Sequence, residues 1–137
     1  MKHGIRISCS RRNLKVVRDF VRDYLAGQQL SEIIVNQLIL AVDEVVANFI
    51  IHAHAEDEKQ FLDVRVAICN HEFDFEIEDD TPSGYQPGAY KEPDLREFVR
   101  VGKKGGVGMM LVNRIMDRVE YCTNGAHTVC RLYKRLA

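Results

Sequence analysis

The spacing of hydrophobic and polar positions changes period several times along this chain, and each change marks an element. "GIRIS", Gly4 to Ser8, alternates briefly and predicts an edge strand. After Ser10, a candidate N-cap, Leu14, Val17, Val21 and Tyr24 recur at helical steps, and Gly27 is placed to stop the helix. A second helix is expected after Ser31, with Glu32 near its positive end. Its stripe of Ile34, Leu38, Val42, Val45 and Phe49 describes one buried face. The period then falls to two. Val64, Val66 and Ile68 alternate with Arg65, Ala67 and Cys69, and Phe73, Phe75 and Ile77 alternate with Asp74, Glu76 and Glu78. The polar Asn70–Glu72 between them reads as a turn, so the pair is an antiparallel hairpin with one buried face.

An irregular region follows from Thr81 to Lys104 and holds all three prolines. A short helix is expected in it at "PDLREFV", since Pro93 suits a first helical turn. A glycine cluster then opens a helix from about Val107 to Arg118. The chain closes with a second hairpin, "VEYCT" and "TVCRLYKRL", turning around Asn124-Gly125. This order predicts one domain over residues 1–137, an α/β (α+β) two-layer sandwich. Helices would cover one face of a mixed, mostly antiparallel sheet. A loop of over about 20 residues in so small a domain is expected to be a lid or binding element.

Composition narrows the partners. The 137 residues are 46% hydrophobic and 28% charged, with a formal net charge of -1. No overall basic field therefore recruits nucleic acid or anionic lipid. No apolar run is seen to approach the roughly 20 residues that span a bilayer, and "MKHGIRISCS" has no apolar core of a secretory signal. Cys9, Cys69, Cys122 and Cys130 lack CxxC spacing and read as reduced structural thiols, which points to a cytoplasmic protein. Arg11, Arg12 and Arg18 are assigned to a solvated face of the first helix rather than to an acidic partner.

Three constellations carry candidate chemistry. Gly105, Gly106 and Gly108 lie at a helix start, where unpaired N–H groups and the helix dipole favour anions. Missing side chains would let a phosphate reach that backbone, with Lys103 and Lys104 adding charge. The sequence supplies neither the Gly-Lys-Ser/Thr of a P-loop nor the third glycine of a dinucleotide fingerprint, because Leu111 stands there. On the second helix, Glu44, Asn48 and His52 recur every four residues and share a stripe. They are either a polar seam or a site. As a site, an Asn oxygen suits Mg²⁺ bridging phosphates, and a carboxylate one turn away suits a general base. His52 and His54 diverge too far around a helix to share a metal. The third constellation, "EIEDDTP", ends a strand. It is either a charged exit or a carboxylate positioned for an exocyclic amine.

Taken in order, these motifs resemble the GHKL ATPases. Glu44-x-x-x-Asn48, Asp79 at a strand end, and Gly106-x-Gly108-x-x-Leu111 after a lid match that superfamily's N, G1 and G2 boxes. The branch most similar is the anti-sigma factor serine/threonine kinases of bacterial partner-switching systems, whose first box continues to a histidine, here His52. "GGVGMMLVNRIMDRVEY" and "LYKRL" resemble its ending. The resemblance implies a Bergerat-type fold with an ATP lid. It also implies Asn48 as the Mg²⁺ ligand, Glu44 as catalytic base and Asp79 at the adenine amino group. Gly105 to Gly108 would cradle the phosphates, and Thr128 would stand on the adenine side. Thr81, Lys104, Gly105, Gly106, Val107 and Met109 complete the implied nucleotide-binding set. Thr81 replaces the usual glycine of the second box, and the adjacent Asp79 and Asp80 leave its register open by one residue.

Three functions follow as expectations. The first is a Mg-ATP-dependent serine/threonine kinase that phosphorylates a STAS-domain antagonist and also binds a sigma factor or other regulator, with a homodimer as a reasonable assembly. The second is an ATP/ADP-binding sequestration module that transfers nothing. The third is a detached histidine-kinase catalytic domain, disfavoured because there is no room for a two-helix dimerisation segment before the first strand.

Overall fold

The computed structural model describes residues 3–53, 55–79, 107–124 and 127–136. The expected lid, Asp80 and Thr81, the short helix at Pro93, Lys104 to Gly106, His54 and Gly125 lie outside the described residues.

Strand β1 (His3–Ser8) leads through a 3₁₀ turn (Arg11–Asn13) into helix α1 (Leu14–Ala26). Ser10 precedes that turn but makes no capping hydrogen bond. Asn13, directly before α1, spends its side-chain amide on the Ser8 carbonyl at 2.9 Å. The expected Ser10 cap is thus displaced by a tie back to β1. Helix α2 (Glu32–Asn48) starts as expected, with Ser31 Oγ accepting from the Ile34 N–H at 3.3 Å. A π-helical turn, Phe49–Ala53, continues it. That wider turn changes the angular step after Asn48.

Strands β2 (Phe61–Cys69) and β3 (Glu72–Asp79) form the expected hairpin. Its two turn residues, Asn70 and His71, both have positive φ, 52° and 62°. This is the primed geometry that matches the strands' right-handed twist. Helix α3 (Val107–Ile115), β4 (Arg118–Asn124) and β5 (His127–Arg135) complete the chain. Helix α3 is shorter than expected, and Arg118 belongs to β4. Tertiary contacts stop it. Lys134 Nζ donates to the Ile115 carbonyl at 2.9 Å, and the Asp117 carboxylate accepts from the Arg135 N–H at 2.6 Å.

The sheet has strand order β1-β2-β3-β5-β4, and every described pairing is antiparallel. Its alternation separates two faces. Ile7, Leu62, Val64, Val66, Phe73, Phe75, Ile77, Cys130 and Leu132 are buried with Val17, Val21 and Leu25 of α1, much of α2, and Val112 of α3. The helices therefore cover one face, and the other carries ion pairs, which is the two-layer sandwich expected.

One expectation is corrected. Residues Glu32–Ile51 form a helical segment of 20 residues, long and apolar enough by length and composition to cross a membrane. Scattered polar residues hide this in the sequence. In the fold the segment is the central core helix, with Leu38, Ala41, Val42, Val45, Val46, Phe49 and Ile50 each no more than 1% exposed.

Candidate active site

Glu44 and Asn48 stand one turn apart on the last turns of α2, both half-buried. Their neighbours Val42, Val45 and Val46 are sealed in the core, which fixes how this helix is rotated. Glu44 consequently looks away from the sheet centre and toward the start of α3, which packs beside α2. There Glu44 meets Gly108. A Cβ added at Gly108 would lie 2.6 Å from Glu44 Cδ and 3.3 Å from its Cγ. No other residue type fits at position 108 without moving the carboxylate. Gly108 belongs to the first turn of α3, whose N–H groups lack intrahelical partners. A carboxylate and the N-terminal turn of a helix thus face the same space.

The electrostatics of Glu44 follow from its surroundings. Burial, and then the negative charge of Asp43, push its carboxyl above the ordinary glutamate range. Asp43 itself points back to α1, accepting from Arg18 Nη1 at 3.0 Å. Arg18 is therefore not merely a solvated side chain. Arg11 and Arg12 precede α1 in the 3₁₀ turn and pair with Glu56 at 3.0 Å and Glu58 at 2.7 Å. Glu44 and Asn48 make no hydrogen bond to other side chains among the described residues, so both remain available to a ligand.

Asp79 is the last residue of β3 and only 1% exposed. It follows Ile77 in the alternation, so it belongs to the helix-covered face. The register sets it opposite Thr128 of β5 and Leu62 of β2. Thr128 shares that face with buried Cys130 and Leu132. The two residues assigned to the adenine side are therefore cross-strand partners in the last described rung of the β3–β5 ladder. Helix α2, which carries Glu44 and Asn48, packs over β3.

Met109 follows Gly108, half-buried in the same first turn, and its carbonyl accepts from the Asn113 amide at 3.0 Å. Val107 opens the helix. Thr81, Lys104, Gly105 and Gly106 lie outside the described residues. Sequence reasoning overlooked Glu78 and His127. These flank Asp79 and Thr128 and meet each other at 2.8 Å on the open face. Their signal was present in the alternation, which puts Arg65, Glu76 and Glu78 on one face with opposite charges in register.

A family model described as "Histidine kinase-like ATPase domain" matches residues 7–134. The chain belongs to that family. No curated protein sequence matches it. Among solved structures, the ATPase domain resembles the crystal structure of the RsbU and RsbW domains of Rv1364c from Mycobacterium tuberculosis. That likeness has a TM-score of 0.68 at 16% identity, over 98% of this chain and 32% of that one. It also resembles the histidine kinase domain from Erythrobacter litoralis EL346 blue-light activated histidine kinase, with a TM-score of 0.56 at 15% identity, over 95% of this chain and 62% of that one. At such identities the likeness is one of fold. The ATPase domain thus spans less than two thirds of either relative's length.

The family implies a nucleotide, and the residues present suit its metal. An Asn oxygen beside a carboxylate is a hard, oxygen-only donor pair of the kind Mg²⁺ accepts. Among the described residues, no group of three or more His, Cys, Asp or Glu side chains forms a protein cage. An ion at Asn48 would draw its remaining ligands from phosphate and water, as Mg²⁺ in phosphoryl-transfer sites does.

Proposed function

We propose that this ATPase domain is a Mg-ATP-dependent protein serine/threonine kinase acting within a partner-switching system. The observation that carries the proposal is the seating of Glu44 against Gly108. It brings a candidate base to the helix start where phosphates would bind. Single-domain organisation over residues 1–137 and a cytoplasmic setting belong to the same proposal.

The base of the nucleotide would sit against the Asp79–Thr128 rung, and its phosphates on the backbone from Gly105 to Gly108. Thr81, Lys104, Val107 and Met109 would complete the contacts. Asn48 would hold Mg²⁺, which supplies charge neutralisation on the phosphate oxygens. Glu44 would take the proton from an acceptor hydroxyl as its oxygen bonds to the γ-phosphorus and the bridge to the β-phosphate breaks, releasing ADP. Burial favours this role because a carboxyl raised above its ordinary range is a stronger base when ionised. The acceptor proposed is a serine or threonine of a STAS-domain antagonist. A sigma factor or other regulator is the second partner, bound by a homodimer. Support for these partners is the family resemblance and the fold shared with the RsbW-containing structure.

The test separates the two polar residues of α2. Glu44→Ala should retain Mg-ATP binding and lose phosphoryl transfer to a STAS-domain acceptor. Asn48→Ala should lose Mg-dependent binding itself. The opposite pattern would overturn the assignment, and binding without transfer in the unmodified protein would leave a sequestration module instead.

A further inference from the structure

The open face of the sheet carries a chain of charges across three strands. Arg65 on β2 donates through Nε to Glu76 Oε2 at 3.2 Å and through Nη2 to Glu78 Oε1 at 2.6 Å, both on β3. The other oxygen of Glu78 lies 2.8 Å from His127 Nδ1 on β5. Glu76 is almost fully buried, with Arg131 Nε 4.0 Å away.

The position of the Glu78–His127 contact gives it significance. Among the described residues the β3–β5 ladder ends at the rung Asp79–Thr128, and Glu78 and His127 are the residues immediately before each member of it. Glu78 stands opposite Val129, so its contact with His127 is diagonal across that last rung. Side chains alternate, so the contact lies on the open face while Asp79 and Thr128 lie on the helix-covered face. Terminal rungs open more readily than central ones. A polar tie across this rung therefore fixes two backbones whose next side chains project into the candidate site. Arg65 holds Glu78 from the other side and keeps it from swinging away.

We propose that Glu78 and His127 are positioning residues for the base side of the nucleotide site, holding the Asp79–Thr128 rung so that it can select adenine. The proposal rests on the ATP-site reading given above. Neither residue touches the nucleotide, since both project from the opposite face. Their removal acts on how well the site distinguishes the exocyclic amine, and phosphate binding at α3 is untouched.

The experiment is a calorimetric comparison of Mg-ATP and Mg-ITP, which differ at that amine. His127→Ala and Glu78→Ala should each weaken ATP by a factor of about five, the size of one partly exposed polar contact, with ITP unchanged. His127→Gln, which keeps an N–H donor toward Glu78, should restore most of the ATP preference. Lys15→Ala breaks an exposed pair with Asp19 (2.8 Å) that lies within α1, away from this network, and should leave both nucleotides unaffected. Should His127→Ala fail to fold, Glu78→Ala and His127→Gln decide the matter. Equal losses for ATP and ITP, or an unchanged ATP/ITP ratio in His127→Ala and Glu78→Ala, would overturn this proposal alone. An unmodified protein that binds neither nucleotide would overturn the ATP-site reading and this proposal with it.

Discussion

Gly108→Ala should separate stability from activity. The added Cβ would stand 2.6 Å from Glu44 Cδ, whereas ordinary contact begins near 3.4 Å. The Glu44 Oε2 oxygen would lie nearer still, so the carboxyl must retreat by more than about 0.8 Å. It is the far end of a flexible side chain, so it can move without disturbing the backbone. Alanine is also a better helix former than glycine, by up to about 1 kcal/mol. At about 2.1 cal/mol/K of unfolding entropy per residue, that gain raises Tm by up to roughly 3 °C. Catalysis responds in the opposite direction, because a misplacement of about 1 Å can cost on the order of 100-fold. The assay is ADP formation with the acceptor protein, alongside a melting curve. Gly27→Ala is the matched control. A Cβ there meets nothing within 4 Å and φ is −85°, so it should be stable and fully active. Normal turnover by Gly108→Ala would refute the idea that Glu44 acts from its seat against Gly108.

Other consequences can be measured separately. Glu44 is raised by burial and by Asp43, so the acidic limb of the pH–rate profile should lie above the ordinary glutamate range, and Asp43→Asn should move it down. The same shift bears on stability. A folded-state carboxyl raised above its unfolded value means that the native state binds more protons in that window, so stability falls as pH rises through it. Glu44→Gln should therefore melt higher than the parent at pH 7, with the gap closing in acid; a lower melting temperature would contradict this. Arg65→Ala should cost about 1–3 kcal/mol, or roughly 4–10 °C, because nearly buried Glu76 loses its close cation. An unchanged Tm would show the network to be dispensable. Cys69 and Cys122 are exposed, whereas Cys9 and Cys130 are buried, and burial pushes the Cys130 thiol up to about 12. Thiol reagents at neutral pH should modify two cysteines in the native protein and the other two only on unfolding; rapid native labelling of Cys130 would contradict the packing.

Much of this fold was legible because its signals are local. The stripe from Leu38 to Phe49 and the alternation from Val64 to Ile77 each come from residues close in sequence, and the elements they define are present. The site was legible only in part. Glu44 and Asn48 could be paired from spacing, but the meeting of Glu44 with α3 depends on helix packing that no local period encodes. The end of α3 was misjudged because Lys134 and Asp117 set it through contacts with distant chain. The π-helical turn after Asn48 left no trace in the pattern. The Glu78–His127 tie was hidden for another reason. It emerges only when the β3–β5 register sets Asp79 against Thr128.

The central claim is that the start of α3 and the end of α2 form one Mg-nucleotide site. Its most direct test is the melting temperature with ATP or ADP, each with Mg²⁺ or a chelator. At 100 times its dissociation constant, a ligand adds about 2.7 kcal/mol, roughly 9 °C for a chain of this length. A rise of that order that disappears with the chelator is the predicted result. No shift with either nucleotide at millimolar concentration would contradict it.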